Sequence, residues 1–223
     1  MNKLKGEGMK IKKVLPWLPG ILCEVAAIVF CIIYAAGGGR EATMYLQLIA
    51  AALLPFLVPV YSLISKKPLT PALSVAAAVF VFLASDLGSG LYFYDKFTWW
   101  DLVMHGAFGF LCCLAVFVLL VRWGGARLNP AGFMVIILMF TLGVAAMWEI
   151  WEYAVDSITG GDSQRVAESI AQGKSPLADT MEDIIIALAG CAAFYIALLI
   201  DKLCKYRVSK LLCGFSGFVR DEN

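Results

Sequence analysis

The chain has 223 residues, of which 61% are hydrophobic and only 16% charged, with a net charge of +1 and a mean hydropathy of +0.81. That apolar fraction is far above a soluble domain's, and the near-zero charge gives no electrostatic footing for nucleic-acid binding. The composition describes an all-α, polytopic membrane protein.

A bilayer core of roughly 30 Å takes about 20 apolar residues per helix. Six segments meet that length, at about 15–36, 43–65, 69–93, 101–121, 130–153 and 180–201. Residues 1–13 carry Lys3, Lys5, Lys10, Lys12 and Lys13, and the apolar run that follows extends from Val14 to Ala36. It is longer than a signal-peptide core, so the reading is a retained first helix, with Pro16 and Pro19 at its tolerated entry. Pro55 and Pro59 fall inside the second span and are expected to kink it. Pro68 and Pro71 open the third span, whose outer part carries Asp86. The fourth begins in "WWDLVMHGAFG", which holds His105, the one histidine of the chain, four residues after Asp101. Asn129-Pro130 opens the fifth. A long connection over 157–178 follows, with Val166 and Ile170 spaced for a short interfacial helix that is either a lid over a site or a plain surface helix. The sixth span leads into a basic tail, 202–223. The expected organisation is a 14–201 membrane domain between two basic ends.

Orientation follows from the positive-inside rule. Lys66 and Lys67 lie between spans two and three, Arg122 and Arg127 between four and five, and Lys202, Lys205, Arg207 and Lys210 after span six. The other connections hold Arg40, Lys96, Arg165 and Lys174 mixed with acids. Both termini are therefore expected in the cytoplasm. The seven cysteines lie in helix interiors or near the cytoplasmic end, without a CxxC pair, and read as small apolar residues rather than thiolate ligands.

Ionisable residues inside spans are costly and mark function by default. Three sets stand out. Span four opens with Asp101 and His105, span five ends with Glu149, Glu152 and Asp156, and span six opens with Asp179 and Asp183. Spacings of three and four put each set on one helical face. With the topology above, all three fall at the extracytoplasmic boundary. His105, Glu149 and Asp183 form a deeper level; Asp101, Glu152 and Asp179 lie about one turn shallower.

Converging carboxylates in low dielectric take up protons or need a cation. Imidazole and carboxylate together suit Zn²⁺ or Mn²⁺, and an oxygen-only subset suits Mg²⁺. The expected metal ligands are His105, Glu149, Asp179 and Asp183, with Glu152 as general base and Asp101 as its catalytic companion. The competing structural reading makes Asp101 and Asp179 N-caps and places Trp99, Trp100, Trp148, Trp151 and Tyr153 in an interfacial aromatic belt. Glu24, deep in the first span, needs a buried partner or a proton. Gly106 and Gly109 beside His105 read as sites of close helix approach.

At these motifs the sequence resembles the YjdF-like inner-membrane proteins, and more distantly the VanZ-like proteins. Trp100, Asp101, His105 and Gly109 match the first YjdF-like motif; Glu149 and Glu152 the second; Asp179, Asp183 and Gly190 the third. Pro176, Leu177 and Ala178 depart from that group's pattern, and the acids of motifs two and three separate the chain from VanZ-like proteins. The resemblance covers the last three spans and implies a multi-pass protein of the bacterial cytoplasmic membrane, without implying a reaction. The leading expectation is a divalent-metal-dependent hydrolase with a membrane lipid, lipid-linked or cell-envelope substrate. A proton- or cation-coupled transporter and a non-catalytic envelope factor are the alternatives. No G-x-S-x-G nucleophile motif or inverted repeat is present to choose between them.

Overall fold

A computed structural model describes residues 14–39, 42–65, 69–123 and 129–213. The basic segment 1–13, Arg40, Lys66, Lys67, Pro68, Arg127 and the tail beyond residue 213 lie outside the described residues. Within them the chain is helical, and no strand forms. Six helical runs are long and apolar enough to cross a membrane: Leu18–Ala36, Met44–Ser65, Pro71–Gly90, Trp100–Arg122, Pro130–Thr159 and Ala178–Leu203. This is a multi-pass membrane protein.

The chain divides into two compact units. The first holds α1 (Leu18–Ala36), most of α2 (Ala42–Leu53), α3 (Leu57–Ser65) and α4 (Pro71–Val81). Between α2 and α3 one 3-10 turn, Leu54–Phe56, contains Pro55. Proline cannot donate the i→i−4 bond there, so the expected irregularity in the second span takes this form. Beyond α4 the helix widens into a π-helical stretch over Phe82–Gly90, which the periodicity did not announce. Asp86 lies in it, 1% exposed, with Oδ1 accepting no hydrogen bond. Glu24 on α1 likewise has a buried Oε2 without a hydrogen bond, so the sequence's demand for a buried partner is unmet by hydrogen bonding at that atom.

The second unit carries α5 (Phe93–Lys96, from Tyr94 on), α6 (Trp100–Arg122), α7 (Pro130–Thr159), α8 (Val166–Ala171) and α9 (Ala178–Leu203), and then enters α10 (Arg207–Cys213). Asn129 starts α7 as an N-cap, its Oδ1 accepting from Gly132 N at 2.6 Å. The helix was expected to end near residue 153 but runs on to Thr159. Gly160 is the stop, in the left-handed region at φ +72° with its N–H on Asp156 O at 2.8 Å. At 1.5 Å per residue α7 is about 45 Å long, more than the hydrocarbon thickness, so one end projects beyond it.

Helices α6 and α9 run parallel, with α7 antiparallel to both, as pairings along their length show. Towards one end Phe117 packs edge-on against both Phe133 and Phe194, with ring centroids 5.8 Å apart in each case. Mid-way the Cys113 thiol donates to Cys191 Sγ at 3.0 Å and sits 3.2 Å from Thr141 Oγ1. Small residues set the α6–α9 spacing. A Cβ built on Gly109 would lie 2.1 Å from Ala187 O, and one on Gly190 would lie 2.0 Å from Gly106 O. Backbone fills the space where a side chain would go, as the glycines beside His105 led one to expect. That close approach brings the acidic ends of α6 and α9 together.

Candidate metal and acid site

The first turns of α6 and α9 present Asp101 and Asp179 at their second helical positions. Neither is the N-cap. Trp99 and Leu177 occupy those positions, without a side-chain cap. The two carboxylates are thus free of capping duty while lying in the favourable field of a helix start.

His105 Nε2 is 3.5 Å from Asp101 Oδ1 and 3.5 Å from Asp183 Oδ2. One ligand atom from each of these three residues lies within 4.8 Å of the other two. The exposures are 12% for the His105 side chain, 15% for Asp101 and 3% for Asp183, so the group is sunk but not sealed. Two ligands of one tetrahedral ion with bonds of about 2.1 Å are about 3.4 Å apart. The two spacings from His105 Nε2 match that edge. Three protein ligands would leave a fourth position for water or substrate.

Glu149 supplies the second observation. It is 5% exposed, and neither carboxylate oxygen has a hydrogen-bond partner. Its charge acts on His105 and Asp101, and the Thr180 hydroxyl, which accepts from Gln164 Nε2 at 3.1 Å, is a neighbour. A buried carboxylate without ordinary hydrogen bonds is expensive unless something else compensates it. Glu152, one turn on, accepts from Trp148 Nε1 at 2.9 Å and feels Glu149, Asp101 and Asp183. Asp179 feels Asp101, Arg165, Glu149 and His105. The six expected ligand and catalytic residues therefore share one electrostatic neighbourhood. The tight trio differs from the expected ligand set: Asp101 is in it, and Glu149 and Asp179 are not.

Asp156, the third acid of α7, is turned to another task. Its Oδ1 accepts from Ser163 N at 2.8 Å and its Oδ2 from Gln164 N at 3.0 Å, folding the connection back over the helix end. Asp162 then accepts from Val166 N and Ala167 N at 2.8 and 3.1 Å and starts α8. Lys174 Nζ reaches the Glu182 carboxylate at 2.8 Å and fastens the other side of the connection to α9.

This folded connection delivers Arg165, which the sequence reading counted only as a loop charge. Arg165 Nη1 is 3.6 Å from Asp101 Oδ2. Its Nε donates to Glu168 Oε2 at 2.8 Å, its Nη2 donates to the same carboxylate, and Nη2 also donates to Tyr94 O at 3.2 Å. Burial alone would weaken the guanidinium's hold on its proton. The Glu168 hydrogen bond and the charges of Asp101, Glu168 and Asp179 outweigh it and raise the group above its ordinary value. The Tyr94 phenol registers the field of the site. Burial, then the charges of Asp101, Glu152 and Asp183, push it well above the usual tyrosine range, with Arg165 opposing. An arginine between two acid-bearing helices was the available signal, but nothing in its spacing says which carboxylate it meets.

Comparison with known proteins places the chain in a family. Residues 20–202 match the family described as "Predicted membrane protein (DUF2238)". A protein of Thermotoga maritima, described as an uncharacterized protein, is 28% identical over 134 residues, which cover 59% of this chain and 64% of that relative. The matched region thus spans a little under two thirds of the relative's length. No solved structure matches. The family match accords with the YjdF-like side of the resemblance and does not show the VanZ-like one. Because the match takes in all six apolar helices almost end to end, the chain belongs to the DUF2238 family of predicted membrane proteins.

Proposed function

We propose that this protein holds a divalent cation between Asp101, His105 and Asp183 at the extracytoplasmic boundary of a bacterial cytoplasmic membrane, and uses it to hydrolyse a lipid-linked or other envelope substrate. The observation that carries the proposal is the trio of ligand atoms within 4.8 Å of one another, beside a Glu149 carboxylate that is buried without a hydrogen bond. A soft–hard mixed set of one imidazole and two carboxylates suits Zn²⁺ or Mn²⁺ better than Mg²⁺.

A cation there supplies a Lewis acid that lowers the pKa of bound water towards 7. The chain's own residues do the rest. Glu149, which shares its field with His105 and Asp101, takes the general-base role expected of Glu152. Glu152, steadied by Trp148, takes the proton onward towards the surface. Asp101 moves from the catalytic role expected of it to that of a ligand, because its Oδ1 and Asp183 Oδ2 face the same imidazole nitrogen.

The test is metal content. Purified wild-type protein should hold close to one Zn²⁺ or Mn²⁺ per chain after exposure and desalting, and His105→Ala and Asp183→Asn should each lose it. Equal content in all three ends the proposal. Proteoliposomes that instead accumulate the cation at a rate abolished by the same substitutions would assign the site to transport.

A further inference from the structure

We infer that a phosphate group binds beside Asp101, within reach of both the cation and Arg165 Nη1, so that the substrate class is a phosphate ester. This rests on the metal reading of the same site.

The inference starts from how Arg165 is held. Its backbone sits in the left-handed region at φ +49°, which costs a non-glycine residue on the order of 1 kcal/mol. The hydrogen bonds of Asp156 and Asp162 to the flanking backbone impose that conformation. One edge of the guanidinium is then consumed by Glu168 and by Tyr94 O. What is left is Nη1, buried and without a hydrogen bond. Its 3.6 Å separation from Asp101 Oδ2 is an ion pair too long to be a hydrogen bond. A rigidly held arginine thus ends in an unspent donor aimed at the acid cluster.

Asp101 links this donor to the trio. Its Oδ1 faces His105 and its Oδ2 faces Arg165. An ion in the trio and Nη1 therefore stand on either side of a single carboxylate. Any anion entering here meets the repulsion of Glu149, Glu152, Asp179 and Asp183, and the two places where that repulsion is reversed are the ion and Nη1. A phosphate, with its several acceptor oxygens, can put one on each at once while Asp101 keeps its place. A neutral acceptor would gain the hydrogen bond without the charge attraction. The side chains around the connection suit a phosphate carried by a lipid: Ile158 is 84%, Ile170 56% and Leu177 59% exposed. The same chemistry is met by soluble phosphate, so the experiment separates the two sources.

Full-length protein in detergent is loaded with Mn²⁺, and its Mn²⁺ affinity is measured by electron paramagnetic resonance. Inorganic phosphate is then titrated, with the paramagnetic broadening of its ³¹P resonance as the readout. A second titration uses water-soluble dihexanoyl phosphatidic acid. Wild-type protein should broaden both signals beyond free Mn²⁺. R165Q should weaken phosphate at least tenfold while changing Mn²⁺ affinity less than twofold. A tenfold preference for the short-chain lipid assigns a lipid-borne phosphate, and equal affinities assign a soluble one. Unchanged phosphate affinity in R165Q with Mn²⁺ retained overturns this inference and leaves the metal reading standing. Should R165Q lose Mn²⁺, R165K decides, since it keeps the charge and loses the fork: affinity within twofold of wild type overturns the Nη1 contact. If wild-type protein binds no Mn²⁺, the metal reading fails, and phosphate is titrated calorimetrically on metal-free protein. Binding that R165Q abolishes then sustains the Arg165 site, and no binding overturns it.

Discussion

His105 and Asp183 meet across two parallel membrane helices, with Nε2 of the one 3.5 Å from Oδ2 of the other, and the same Nε2 is equally far from Asp101 Oδ1. A bare imidazole lone pair would repel both carboxylates. Without metal a proton has to lie between that nitrogen and one of the carboxylates, and a cation bound there displaces it.

Metal binding should consequently release protons. Calorimetric titration of Zn²⁺ or Mn²⁺ in two buffers of different ionisation enthalpy should report about one proton released near neutral pH. Affinity should weaken by about tenfold per unit of falling pH for each proton displaced. A pH-independent affinity would place the ion away from His105.

Glu149→Gln should separate the cost of a buried charge from its use. Glu149 is 5% exposed with two unsatisfied oxygens, so the isosteric amide should stabilise metal-free protein by roughly 1–3 kcal/mol. The stabilisation gained on adding metal should shrink in the same variant. Thermal unfolding in detergent, with chelator and with metal, measures both.

The α6–α9 approach predicts a graded response among glycines. Gly190→Ala and Gly109→Ala force a methyl to within about 2 Å of a backbone oxygen. Each should cost about 3 kcal/mol or more, at or beyond the upper end of ordinary overpacking, because backbone cannot rotate out of the way. Gly143→Ala is the control. Nothing lies within 4 Å of its Cβ position, so in a helix interior it should be neutral or stabilise by up to about 1 kcal/mol. Melting temperatures of the three variants check the order.

Asp156→Ala removes the acceptor for Ser163 N and Gln164 N. Amide hydrogen exchange over 162–171 should accelerate by about one to two orders of magnitude, from roughly 1–3 kcal/mol of lost local stability. The interior of α9 should be unaffected. Uniform exchange rates would mean the connection is held by other contacts.

The orientation is tested by fusions. An alkaline phosphatase reporter joined after Gly161 should be active and one after Asn129 inactive, since only an exported phosphatase folds its disulfides. The reverse pattern would turn the site to the cytoplasm.

Much of this was legible before any coordinates. Six apolar runs of sufficient length admit few other folds in a bilayer, because only helices satisfy their own backbone there. Period and depth also put Asp101, His105, Glu149, Glu152, Asp179 and Asp183 on definite helix faces near one membrane boundary, since i, i+3 and i, i+4 spacings fix a face wherever the helix is regular. Regularity is what failed at the π-helical Phe82–Gly90 and at the end of α7, where Gly160 rather than a drop in hydropathy stopped the helix.

Sequence by itself determined the class of the protein, its spans and the face each acid occupies, because those depend on short-range geometry and on the cost of exposing polar backbone to lipid. Tertiary structure alone decided which acids meet. The glycine contacts of α6 and α9 set how close Asp101, His105 and Asp183 come, and the carboxylates of Asp156 and Asp162 folded a loop so that Arg165 reached Asp101 rather than solvent. Such contacts join residues far apart in the chain through rotations of a few degrees, and no periodicity within one helix encodes them.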